Sequence, residues 1–212
     1  MDALTELLGN LTDPYWIEEH GGLYLLLFII FAETGILIGF FLPGDPMLFI
    51  AGIIISTLYS SSGQGEAALL YWILLMAISA VLGNLLGYWC GIKFGSRIMN
   101  ARDTWFFKKK YVYKAKEFYE KQGGSAIILA RFLPLVRTFA PIVAGIVGMN
   151  FRRFLIYNII GGFLWTGSLV TLGYLLGGNP WVKSNLEYVI VGIVILATIP
   201  VIIKSFNKKP NE

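Results

Sequence analysis

Charge is scarce in this chain and unevenly placed. Only 14% of its 212 residues are Asp, Glu, Lys or Arg, and no Lys or Arg occurs before Lys93. A soluble domain carries roughly 25% charged residues, so the shortage excludes a water-facing surface for much of the molecule. Cysteine is limited to Cys90, which rules out an intrachain disulfide and any cysteine-based metal cluster and leaves a small packing residue in an apolar run. Histidine is limited to His20. No histidine-rich metal site can form and a phosphatase is disfavoured for want of a histidine grouping; His20 reads as an interfacial side chain beside Glu18 and Glu19, with a proton relay as the alternative. The first residues, MDALTELLGN, lack the basic start of a cleavable signal peptide, so residues 1–22 read as an amphipathic interfacial segment.

What the chain has in abundance is apolar sequence. Hydrophobic residues make up 56% and the mean hydropathy is +0.67, so the bilayer is the solvent expected for one membrane domain. The net charge of +4 does not point to nucleic acid. The basic residues fall in connections between apolar runs rather than on one face, as membrane topology requires. Residues 93–121 hold nine Lys or Arg against three acids, Arg152 and Arg153 form a second basic turn, and Lys204, Lys208 and Lys209 end the chain. By the positive-inside rule all three regions, including the 207–212 tail, are cytoplasmic.

A span needs about 20 apolar residues. Residues 67–92, 154–178 and 187–206 satisfy this and read as transmembrane helices. Residues 23–58 and 126–149 do not read as simple spans. The first is divided by the turn Pro43-Gly44-Asp45-Pro46; the second contains Arg131, Pro134, Arg137 and Pro141. With both of its ends cytoplasmic, 126–149 must enter the membrane and return, and 23–58, flanked by stretches without Lys or Arg, reads as a hairpin from the opposite side. Gly87-Tyr88-x-x-Gly91 after the first hairpin and Gly173-Tyr174-x-x-Gly177 after the second suggest an inverted repeat. The expected fold is all-α and polytopic: two re-entrant hairpins, about three full spans and amphipathic surface helices, among them Trp105 to Tyr119 on the cytoplasmic headgroups.

Ionisable residues at membrane depth mark function. Each costs about 2.5 to 3.5 kcal/mol at the bilayer centre on insertion scales, so Glu33 and Asp45 of the first hairpin are expected to meet Arg131 and Arg137 of the second. The guanidinium forks suit a phosphate, while the two carboxylates balance charge and carry protons. Asp45 as N-cap with Pro46 at N1 starts a half-helix inside the membrane, and Thr138 to Pro141 starts a second, each exposing backbone amides to an anion. Asn84, Asn158 and Thr138 either line the cavity or join helices. Ser79, Gly83, Gly87, Gly91 and Gly95 form a smooth stripe for close packing against a hairpin or against a second subunit in a homodimer.

At these residues the sequence resembles the DedA family, also called the SNARE-associated or VTT-domain family. The matching features are Glu33 with Phe41-Leu42-Pro43-Gly44-Asp45, then Gly83-Asn84-x-x-Gly87-Tyr88-x-x-Gly91, then Arg131-Phe132-x-Pro134-x-x-Arg137-x-x-x-Pro141-x-x-Ala144-Gly145. Met149, Phe154, Asn158, Gly161 and Trp165 continue the pattern. The resemblance covers residues 20 to 180 and implies a lipid transporter of the bacterial cytoplasmic membrane, with the acid pair Glu33 and Asp45 and the arginine pair Arg131 and Arg137 as functional residues. Bacterial members of the family include undecaprenyl-phosphate translocases and phospholipid flippases, and on that resemblance undecaprenyl phosphate is the expected substrate; the two carboxylates point to protons as the coupled ion, and no enzymatic activity, cofactor or metal is expected. The alternatives are a phospholipid flippase or scramblase, a proton-coupled cation or drug antiporter, a membrane lipid phosphatase and a non-transporting scaffold.

Overall fold

The computed structural model describes residues 22–35, 44–59, 63–100, 125–132 and 134–185, with 188, 189, 191 and 192. Outside these fall the N-terminal segment with His20, Pro43 of the first hairpin break, the basic stretch Trp105 to Tyr119, most of the third expected span and the C-terminal tail.

All described elements are helices: α1 Gly22–Gly35, α2 Gly44–Tyr59, α3 Gly65–Asn100, α4 Ser125–Arg131, α5 Pro134–Ile146, α6 Phe151–Leu176 and α7 Pro180–Ser184. Two of them, α3 and α6, are long and apolar enough to cross a membrane. The 36 residues of α3 extend about 54 Å at 1.5 Å each, eight residues past the expected end at Ile92. Lys93 marks the transition, its ammonium lying 4.7 Å from the Trp89 ring centroid, an amphipathic pairing suited to a membrane interface.

Between α4 and α5 the chain reverses direction. Phe132 closes a turn onto the Leu129 carbonyl, and Pro134 begins α5, where the missing proline N–H costs no helical bond. Ile127 near the start of α4 and Ala144 near the end of α5 belong to one buried cluster with Tyr88 and Phe154. A continuous helix would hold residues 17 apart about 25 Å from each other; shared burial requires antiparallel arms.

Two expected helix starts need correction. The helix α2 begins at Gly44, so Asp45 lies in its first turn rather than capping it; the carboxylate still faces a helix N-terminus, where the dipole favours it. The second half-helix starts at Pro134, four residues before Thr138, and Pro141 sits inside it. Proline is tolerated within membrane helices because neighbouring helices and side chains can re-satisfy the freed carbonyl, and here Gly87 leaves Pro141 room: a Cβ at Gly87 would already stand 3.4 Å from the Pro141 ring.

The α5–α6 turn is built by local chemistry. Gly148 takes a positive φ of 69°. The Met149 N–H donates to the Ala144 carbonyl at 3.0 Å and the Gly148 N–H to the Gly145 carbonyl at 3.2 Å, the bond pair of a Schellman stop. Asn150 Oδ1 then accepts from the Arg152 and Arg153 amides at 3.0 and 3.2 Å, capping α6. Asn179 caps α7 in the same way, with Pro180 following.

The chain divides into two compact units, one comprising Met1–Leu26, Pro43–Trp72 and Ser168–Glu212, the other Leu27–Leu42 and Ile73–Gly167. In the first unit, Gly52 of α2 meets Gly173 of α6 so closely that a Cβ on Gly52 would lie 2.6 Å from the Tyr174 nitrogen. In the second, Gly145 of α5 meets Gly91 of α3, and a Cβ on Gly145 would lie 2.9 Å from the Ile92 nitrogen. Real Cβ atoms essentially never come within 3.0 Å of such atoms. Gly177 follows against Ile53 in one unit and Gly95 against Ile146 in the other. The close crossings thus involve Gly91 and Gly95 in one unit and Gly173 and Gly177 in the other, one helical turn away from the Gly87/Gly173 register the sequence suggested. Tyr88 and Tyr174 are not counterparts: the Tyr88 hydroxyl donates to the Met149 carbonyl at 2.5 Å and its ring stacks on Phe154, while the Tyr174 hydroxyl lies against Gly65.

Candidate functional site: a buried ionic cluster

Five helices, α1, α3, α4, α5 and α6, place polar groups in the interior of the second unit. Along α6, Asn158, Gly161, Gly162 and Trp165 recur at helical spacing and share one face. Gly161 and Gly162 leave that face bare, and the Arg131 side chain of α4 fills it: a Cβ on Gly161 would lie 3.0 Å from Arg131 Cδ, and one on Gly162 would lie 3.6 Å from Cζ. One turn further along, the Arg137 guanidinium of α5 lies 4.8 Å from the Trp165 ring centroid. The two cations thus follow one helix face about a turn apart.

Their partners differ. Arg137 forms an ion pair with Glu33 of α1, both almost fully buried at 6% and 1% exposure. Burying such a pair is costly, and removing one partner from it costs about 3 to 5 kcal/mol. Arg131, 2% exposed, has neutral partners instead. Its Nη2 donates to Asn158 Oδ1 at 2.6 Å and to the Ala80 carbonyl at 3.5 Å, the outer limit of a hydrogen bond. Asn158 donates in turn to the Val81 carbonyl at 3.2 Å, and Asn84 Nδ2 donates to Asn158 Oδ1 at 2.9 Å. Turning the Asn84 amide over sets its oxygen 2.9 Å from Arg131 Nη2 and its nitrogen 3.2 Å from the Thr34 carbonyl. Asn158 therefore holds Arg131 directly, and Asn84 either donates to Asn158 or, with its amide turned over, accepts from Arg131; in both orientations the amides link α3, α4 and α6.

Of the expected site residues, Glu33, Arg131, Arg137, Asn84 and Asn158 come together in this unit. Thr138 is buried on α5 beside Arg137 in sequence. Asp45 is buried in the first turn of α2, in the other unit, where Gly44 and Pro46 flank it. Trp165 and the pair Gly161 and Gly162 were not singled out as site residues from chemistry. Their signal was the spacing of small and aromatic residues from Asn158 on one helix face. The stripe from Ser79 to Gly95 is taken up inside the molecule: Ser79 donates to the Leu27 carbonyl, Gly83 abuts Thr34 and Phe31, and Gly91 and Gly95 meet α5. Among the described residues no three His, Cys, Asp or Glu side chains gather as metal ligands.

Comparison with known proteins identifies the lineage. Residues 42–175 match the family model described as the VTT domain, which is more than half of the chain. The chain belongs to the VTT-domain, or DedA, family. It is 40% identical to Protein DedA of Escherichia coli K12 over 195 residues, covering 91% of this chain and 87% of that protein. It is 36% identical to an uncharacterised membrane protein of Mycobacterium leprae, covering 97% and 91%. A third VTT-domain relative is Inner membrane protein YqjA of Escherichia coli K12, at 34% identity with 82% and 81% covered. No solved structure gives a significant match. Helices long enough to span a membrane agree with these membrane-protein relatives.

Proposed function

We propose that this protein carries undecaprenyl phosphate across the bacterial cytoplasmic membrane in a proton-linked cycle. The observation that carries the reading is the buried cluster: a carboxylate and two guanidinium groups, each at most 6% exposed, held among five helices in one unit. In a chain with long apolar helices and membrane-protein relatives, such groups are too costly to be incidental and mark a path for charge.

In this reading α4–α5 is a re-entrant hairpin open to the cytoplasm, and α1–α2 is its counterpart in an inverted repeat. The guanidinium forks take the lipid phosphate through paired, charge-assisted hydrogen bonds. Protonation of Glu33 releases Arg137 from its ion pair and frees its donors for the phosphate. Asp45, buried in the first turn of α2, is a second carboxylate able to carry a proton, and the glycine crossings allow the hairpin arms to shift against α3 and α6.

The test is transfer of a fluorescent short-chain polyprenyl phosphate across proteoliposomes under an imposed proton gradient, with phosphatidylglycerol as comparator. Arg131→Ala, Arg137→Ala and Glu33→Gln should each lower transfer at least about tenfold, since each removes a charge-assisted contact worth ~1.5 to 3 kcal/mol. Undiminished transfer by the double arginine variant would refute the reading. Faster transfer of phosphatidylglycerol than of the polyprenyl phosphate would reassign the protein as a phospholipid flippase.

A further inference from the structure

Arg131 and Arg137 occupy one helix face but are set up for different tasks. Glu33 is the only described carboxylate of their unit, and it is committed to Arg137. Arg131 is 2% exposed and rests on Asn158 and a backbone carbonyl, with Asn84 a further acceptor when its amide is turned over. Its buried Nε has no hydrogen-bond partner among the described residues. A buried guanidinium cannot shed its proton, and burying it without a counter-charge costs several kcal/mol. An aspartate at position 158 or 84 would remove that cost at no change in size. Both positions instead carry the uncharged isostere, on two different helices.

We infer that Asn84 and Asn158 are positioning residues that fix Arg131 while leaving its positive charge uncompensated, so that the counter-charge is supplied by an anionic ligand. An amide oxygen accepts from the guanidinium and fixes its orientation, but brings no charge of its own. Arg137, held by Glu33 and stacked on Trp165, carries a compensated charge. Arg131 is therefore the permanent anion seat of this unit, and the pair of amides is what keeps it vacant of protein carboxylates. The assignment rests on the anion-carrying reading above for the ligand's identity, and on the geometry alone for the state of Arg131.

The experiment is the substitution Asn158→Asp in the full-length protein in detergent, with two independent readouts. The first needs no ligand: the melting temperature of the variant minus that of the native protein, followed from about pH 3.5 to 7.5. The groups of the unit's buried cluster that bear on the new carboxylate are Arg131 on α4, Arg137 on α5 and Glu33 on α1; α3 and α6 face it with Asn84 and backbone carbonyls. If Arg131 is uncompensated, the new carboxylate is favoured in its charged form. The difference in melting temperature then rises as the pH is raised from 3.5 and levels. If Arg131 already has a counter-charge, burial disfavours the charged form instead, and the difference falls as the pH climbs above about 4. That second profile overturns the inference.

The second readout is binding of a short-chain polyprenyl monophosphate at pH 7.5. Asn158→Asp should weaken it about tenfold to a hundredfold, because the seat is then filled from within. Asn158→Leu, which removes the acceptor without adding charge, should weaken binding less and leave the melting difference flat with pH. Native binding unchanged in Asn158→Asp overturns the inference and spares the lipid reading. A rising melting profile with no binding of the monophosphate by the native protein upholds the state of Arg131 and sinks the lipid reading. Should Asn158→Asp fail to fold, Asn84→Asp delivers the same charge from α3 and carries the same two expectations.

Discussion

When one member of a buried ion pair is removed, the consequence depends on whether the survivor can discard its charge. Glu33 can take a proton; Arg137 cannot. Glu33→Gln should therefore destabilise the protein more than Arg137→Gln, by about 3 to 5 kcal/mol against a smaller loss, and the double variant should recover much of the difference. Unfolding of the three variants in detergent checks this, and equal losses from the two single changes would contradict it. Stacking on Trp165 softens the outcome, since a desolvated cation–π contact is worth up to about 2 kcal/mol. At this scale the sequence was most informative. Glu33, Arg131 and Arg137 stood out because charge is so expensive in apolar runs that its presence alone marks the site. The allocation of partners was not legible: which guanidinium meets the acid depends on how α1, α4 and α5 pack, and nothing in residue spacing separates Arg131 from Arg137.

At the scale of helices, backbone approaches backbone at glycine. Gly52 against Gly173 and Gly145 against Gly91 leave no space for a methyl group, whereas Gly87 sits at ordinary van der Waals distance from Pro141 and Ile142. Gly52→Ala, Gly91→Ala, Gly145→Ala and Gly173→Ala should each cost about 1 to 3 kcal/mol or more through overpacking, while Gly87→Ala should be tolerated. Folded yield and melting temperature measure the contrast; equal damage at Gly87 would show that the crossing is not where these contacts place it. The sequence announced the small-residue stripe but misjudged its register, because Gly87-Tyr88 and Gly173-Tyr174 look alike as strings while only the packing partners reveal which glycine is crowded. Pro141 misled in the same direction. As a local signal it reads as a break, yet the break lies at Pro134, where the chain already leaves α4, and Pro141 is absorbed inside α5. The Gly148-Met149-Asn150 turn, by contrast, carried standard stop and start chemistry and was readable in principle.

For the molecule in its membrane, the doubling back of α4–α5 has a direct topological reading. Ser125 at the start of α4 and Arg152 at the start of α6 are both exposed, and Ile127 and Ala144 share one buried cluster, so both ends of the hairpin should reach the same side. In a Cys90→Ser background, Ser125→Cys and Arg152→Cys should both react with a membrane-impermeant thiol reagent added from the cytoplasmic side of inverted vesicles. Labelling of the two from opposite sides would make the segment a span. Composition and the placement of Lys and Arg already suggested this path, since both flanks are basic.

The length of α3 reaches beyond packing. Sixteen residues separate Asn84 from Asn100 along one unbroken helix, about 24 Å of stiff rod that passes Lys93 and the Trp89 ring on the way. Pivoting such a lever by about 10° displaces its far end by roughly 4 Å over that length. A push at the Asn100 end of α3 would therefore be carried along one unbroken helix to Asn84, beside Arg131.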